Sequence, residues 1–231
     1  MLPLITSAVA ALDAVTTEAK RLTDPGEQKI RVGMSPLIAP DLVARSFEMV
    51  REPPVARDLV LREADMEALR AELRDGTLDI ILIPAVAAMP RYEHRVIDVE
   101  PIIVVGSGGE DDQAPLELTQ AGHEQFILVP DSCGLTTFTD QLFQSREMPL
   151  RANPGEAATY GVLQAWAQLG LGAAMVPQSK LASPDTPCRP LVDDGREVQI
   201  SFEAVGSADS PLATDLLRLA DGLAAPRQKA G

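Results

Sequence analysis

The chain has 231 residues, 45% hydrophobic and 23% charged with 3% aromatic, enough for one large or two small soluble domains with aliphatic cores. A net charge of −14, with no basic run, excludes a nucleic-acid-binding surface, which needs clustered Lys and Arg to displace counterions. Two cysteines, Cys133 and Cys188, exclude a disulfide framework, and no CxxC or Cys/His cluster offers a metal site.

Residues 4–22 carry Ile5, Ala8, Val9, Leu12, Val15, Ala19 and Leu22 at helical spacing, ending at Asp24-Pro25-Gly26. Without a basic n-region or enough consecutive apolar residues, the segment reads as neither signal peptide nor membrane span. We read 1–28 as a linker or dimerisation helix and the protein as cytoplasmic. Residues 29–34 alternate polar and apolar, with β-branched Ile30 and Val32, and predict a strand. Ser35-Pro36 then predicts a helix start with Leu37, Ile38, Leu42, Val43 and Phe47 apolar: a serine hydroxyl accepts an orphan amide, and proline suits the first turn. Such a turn aims donors and a positive dipole end at a crevice, although the same residues also serve an ordinary strand-to-helix connection.

Alternation continues. Residues 56–61 predict a strand and 64–74 a helix, with Glu63 and Asp65 as caps and Asp75-Gly76 as the stop. Residues 78–83, LDIILI, predict a strand buried on both faces and ending at Pro84. Strands follow over 94–105, broken at Pro101, then an exposed loop over 106–112 whose Glu110–Asp112 acids are solvated. A second series runs as helix 116–121, strand 125–129, helix 132–144, strand 151–153, helix 154–169 and strand 170–176, closed by Pro177. Strands over 189–192 and 198–205 and a helix over 211–223 complete it, with 225–231 fraying. Repeated βαβ alternation predicts an α/β fold of two lobes, each a parallel sheet with helices on both faces, around a cleft.

The blocks IRVGMSPLIAPDLV, LVLREADMEALRAELRDGTLDIILIP, FILVPDSCGLTTFTDQLF and EAATYGVLQAWAQLGLGAAMVPQS together resemble the effector-binding domain of LysR-type transcriptional regulators. The similarity spans 29–223, and 4–22 is similar to the end of the family's linker helix. The resemblance implies a periplasmic-binding-protein-like fold of two Rossmann-like lobes, 29–101 plus 202–231 and 102–201, joined by crossover strands. The family's winged helix-turn-helix has no counterpart here, so DNA would be reached only through a domain outside this chain.

Ligands of doubly wound sheets sit outside the carboxyl ends of the strands. That rule selects Ser35, Pro36 and Leu37 after the first strand and Pro84 after LDIILI. In the second lobe it selects Ser132, Cys133, Gly134, Thr136 and Thr137, with Val176 and Pro177 after GLGAAMV. The resemblance implies that Ser35, the turn over 132–137 and the turn ahead of a Glu156 helix touch the effector. Gly134 suits a tight turn rather than a contact, and Thr136 and Thr137 serve equally well as caps. Cys133 sits where peroxide-sensing relatives carry a reactive cysteine, but Leu142 and Phe143 occupy the region of their resolving cysteine, so we read it as a cleft-lining thiol. His94 and His123 read as surface or strand-end residues and Trp166 as core or interface.

No nucleophile, base and oxyanion donors assemble, so no catalytic residue, cofactor or metal is expected. The expected function is sensing of a small carboxylate-bearing effector between the lobes, in a homodimer or homotetramer; the resemblance implies that the first lobe pairs antiparallel with a neighbour's second. The alternatives are a solute-binding protein of a transport system or a standalone binding protein, then an enzyme for which only Cys133 is a candidate nucleophile. No membrane partner is expected.

Overall fold

The computed structural model describes residues 29–51, 57–107, 114–130 and 134–224. The helix read over 4–22, the acidic loop at 110–112, the tail from 225, and Ser132 and Cys133 lie outside the described residues. The described chain divides into two compact units. Among the described residues the first holds those from 29 to 82, Met89–Arg95 and 204–224; the second holds Ile83–Ala88 and those between 96 and 203. No helix among the described residues is long and apolar enough to cross a membrane.

In the first unit, β1 (Lys29–Met34) pairs in parallel with β2 (Asp58–Glu63) from Lys29↔Asp58 to Met34↔Glu63. On its other side β1 pairs in parallel with β3 (Ile80–Pro84), from Val32↔Ile80 to Met34↔Leu82. Every residue of β3 is buried, as its unbroken apolar run requires, whereas β2 is an exposed edge. Asp79, just ahead of β3, fixes this register: its amide donates to Arg31 O at 2.9 Å, and its carboxylate accepts the Arg31 amide at 2.8 Å.

Helix α1 (Pro40–Val50) begins four residues later than Ser35-Pro36 predicts. The reason is Pro40. A residue before proline is barred from helical geometry, so Ala39 sits extended at φ −61°, ψ 142°, and the helix starts with proline at its first position. Leu37, Ile38 and Ala39 are buried as a turn instead. Helix α2 (Met66–Arg74) is capped by Asp65, whose carboxylate accepts the Ala68 amide at 2.8 Å; Glu63 ends β2 and is no cap. Gly76, at φ 69°, turns the chain after this helix, a conformation that a Cβ would strain.

β4 (Glu93–Val105) runs thirteen residues without interruption. Pro101 does not break it: beyond the proline, Ile102 donates to Val198 O at 2.8 Å and the ladder continues. Residues 116–121 form a two-residue strand, β5 (Leu116–Glu117), then a single turn, α3 (Leu118–Ala121), not one helix. β6 (Phe126–Leu128) leads to α4 (Gly134–Ser145) and β7 (Ala152–Glu156), which pairs in parallel with β6. Helix α5 (Tyr160–Gln168) starts six residues after Pro154, because residues 154–156 belong to β7 and Thr159 is the cap, accepting the Val162 amide at 3.2 Å. Glu156 is therefore a strand residue.

β8 (Ala174–Pro177) and β9 (Cys188–Asp193) both pair antiparallel with β4, so the second unit mixes directions where parallel pairing alone was expected. β4 enters this unit as a strand from the first rather than through a helical crossover, which frees it from the parallel rule. β10 (Arg196–Glu197), β11 (Gln199–Gly206) and α6 (Ala213–Ala224) complete the chain, with β11 beside β3.

Candidate functional site: the strand-end turns of each unit

In the first unit Ser35, Pro36 and Leu37 occupy the turn at the carboxyl end of β1. The Ser35 amide donates to Leu82 O at 2.9 Å, and its carbonyl accepts the Ile38 amide at 2.9 Å. Its hydroxyl oxygen accepts the Leu37 amide at 3.3 Å, which uses a lone pair and keeps the proton for donation. Ser35 is 3% exposed and Leu37 fully buried, so the Leu37 side chain acts as core, while Pro36 is half-buried.

In the second unit the end of β3 meets the start of α4. A Cβ on Gly134 would lie 2.2 Å from Pro84 Cγ, so this glycine answers a close approach rather than the tight turn its sequence context indicates. Thr136 is 2% exposed and donates its hydroxyl to Val129 O at 2.7 Å, tying the first turn of α4 to the end of β6. Thr137, half-buried, is the less committed hydroxyl of the pair. Val176 and Pro177 are ladder partners of Ile103 and Ile102, fully inside the sheet.

Other singled-out residues take structural roles. His94 Nε2 lies 3.1 Å from both the amide and the carbonyl of Met89. Burial pushes the Cys188 thiol up, the reverse of what an activated thiolate needs. Among the described residues, no group of three His, Cys, Asp or Glu could hold a metal ion. The first unit also contains a cavity of ≈ 250 Å³ reached by Glu93, Arg95 and Gly206, none of them selected from the sequence. Its walls come from β3, β4, β11 and α6, so no local motif marks it.

The model for the LysR substrate binding domain matches residues 23–223. The chain is 28% identical over 191 residues to a probable hydrogen peroxide-inducible genes activator of Mycobacterium avium, covering 78% of this chain and 58% of that protein. A protein of the same description from Mycobacterium xenopi is 32% identical over 103 residues, 42% of this chain and 54% of its own length. The chain thus spans little more than half the length of these relatives. Among solved structures, an OxyR cysteine variant from Corynebacterium glutamicum superposes with a TM-score of 0.71 at 20% identity, covering 96% of this chain and 72% of that one. The reduced OxyR regulatory domain from Pseudomonas aeruginosa gives 0.69 at 19% identity, covering 85% and 97%. The α/β architecture of two lobes expected from the sequence is the fold these structures share.

Proposed function

The chain belongs to the LysR substrate-binding domain family, and from that premise we propose that it senses a small carboxylate-bearing effector for a DNA-reading module outside this chain. The candidate effector contacts are Ser35 in the first unit and Thr137 in the second. The observation that carries the reading is the Ser35 hydroxyl, whose oxygen accepts the Leu37 amide at 3.3 Å and whose proton is left available for donation. Effector binding then biases the arrangement of the units, and an oligomer passes that bias to DNA in the cytoplasm.

The mycobacterial relatives' description raises peroxide as an alternative signal. Against it, Phe143 is 1% exposed and packed on Phe126, where the resemblance calls for a resolving cysteine, and Cys188 is a weakly acidic thiol in a β-ladder. A thermal-shift screen of metabolic carboxylates tests the proposal. One acid at about a hundred times its Kd adds about 2.7 kcal/mol, a rise of roughly 5–10 °C for a chain of this size, and Ser35→Leu and Thr137→Val abolish it. Silence to every carboxylate, with a Cys133–Cys188 bond forming under peroxide, transfers the reading to peroxide.

Oligomerisation follows from the same reading. Val60 and Leu61 on the edge strand β2 are 43% and 44% exposed, with Phe47 of α1 at 48%. In the second unit Val162, Leu169 and Leu171 are exposed on and after α5. We assign these two faces to antiparallel pairing of first unit with second unit in a homodimer. Val60→Glu combined with Leu61→Glu converts the dimer to a monomer in light scattering at micromolar concentration, with stability changed by less than about 1 kcal/mol because both sites are exposed. An unchanged mass removes β2 from the interface.

A further inference from the structure

The cavity in the first unit has an apolar floor and a mouth carrying both charges. Ile80, Ala204, Leu216 and Ala220 of the floor are between 2% and 4% exposed. Glu93 and Arg95 lie two residues apart on β4, so their side chains leave the same face of the strand, and both line the cavity. Arg95 Nη2 meets Asp221 Oδ1 at 2.5 Å, with the two side chains 58% and 55% exposed. An exposed pair of this kind contributes little, and a guanidinium has five donors, so Arg95 can take a second carboxylate beside Asp221 or in its place. Ser207, also at the cavity, accepts the Asp209 amide on its hydroxyl oxygen at 3.2 Å and has its proton to donate.

We propose that this cavity binds an α-amino acid with an apolar side chain. The ligand carboxylate pairs with Arg95, its ammonium with Glu93, and the side chain rests on the floor of Ile80, Ala204, Leu216 and Ala220. A cation and an anion side by side match a zwitterion, whereas a simple acid or amine would meet one like charge at the mouth. Size agrees: an apolar cavity of about 150 Å³ takes up benzene, and ≈ 250 Å³ holds a branched or aromatic side chain with its head group. The site lies wholly inside one unit and involves none of the strand-end turns assigned to the effector, so it would be a second input to the same sensor.

Titration calorimetry on the whole chain with L-leucine, isocaproate and isoamylamine tests this. Leucine binds; isocaproate, lacking the ammonium, and isoamylamine, lacking the carboxylate, bind at least about tenfold more weakly. Arg95→Gln costs leucine a similar factor. Gly206→Val removes binding by filling the cavity; a Cβ there stands at ordinary contact distance, 3.6 Å from Asp79 O and 3.8 Å from Ile80 Cγ1 and Leu216 Cδ1. Ser35→Leu leaves leucine binding intact, which separates this site from the effector site. No heat with millimolar leucine, analogues that bind as tightly as leucine, or binding that survives Gly206→Val overturns the proposal. So does loss of leucine binding in Ser35→Leu.

Discussion

Asp79→Ala is expected to lower the unfolding free energy by about 3–5 kcal/mol, the cost of removing one partner of a buried ion pair. The Asp79 side chain is 3% exposed and that of Arg31 21%, so water does little to screen them. Asp79 Oδ1 accepts Arg31 Nη2 at 3.0 Å, while Oδ2 accepts both the Arg31 amide at 2.8 Å and Arg31 Nε at 3.2 Å. Truncation strands a guanidinium and a backbone amide together, next to the strand pair at the centre of the first unit's sheet. Asp79→Asn keeps an acceptor for the amide and loses the charge, so it falls between wild type and alanine. Urea denaturation with an unchanged m-value measures both. An alanine loss below about 1 kcal/mol would mean that the pair behaves as a screened surface contact.

Phe143→Ala is expected to cost about 3–5 kcal/mol, felt in the second unit. Phe143 and Phe126 are each 1% exposed, with ring centroids 5.8 Å apart and planes inclined at 68°, an edge-to-face contact. Alanine removes the transfer energy of a buried ring, leaves a cavity between α4 and β6, and forfeits roughly 0.5–1.5 kcal/mol of ring–ring attraction. Phe143→Leu refills most of the volume and loses less than half as much. Hydrogen exchange localises the effect: amides of α4 and β6 lose protection while those of β1 and β3 keep theirs. Equal loss in both regions would show that the two units unfold as one cooperative body.

Local chemistry made much of this legible in advance. The LDIILI run could only be a strand covered on both faces, and β3 is buried throughout. Asp65 ahead of an amphipathic run could be read as a cap from its type and spacing alone. The misplaced helix starts share one origin. Ser35-Pro36 and Pro154 both carry helix-start signals, yet Pro40 imposes an extended residue before itself, and the residues from Pro154 to Glu156 are drawn into a ladder with β6. Competing signals of similar strength are resolved by pairing partners far along the chain.

The candidate site divides along the same line. The alternation of strands and helices places Ser35 and Pro84 at strand ends and Gly134 and Thr137 at the start of a helix that follows a strand, and that follows from sequence. What each side chain does there does not. Thr136 and Thr137 are identical neighbours, yet one hydroxyl is committed to Val129 O. Gly134 is glycine because Pro84, fifty residues earlier, leaves no room for a Cβ. The cavity at Glu93 and Arg95 arises only where three strands and the last helix converge. The sequence by itself determined the fold family and the strand-end turns, because hydrophobic period and capping chemistry act over a few residues. Only the tertiary structure decided which polar groups remain available to a ligand, because that depends on contacts between segments distant in the chain.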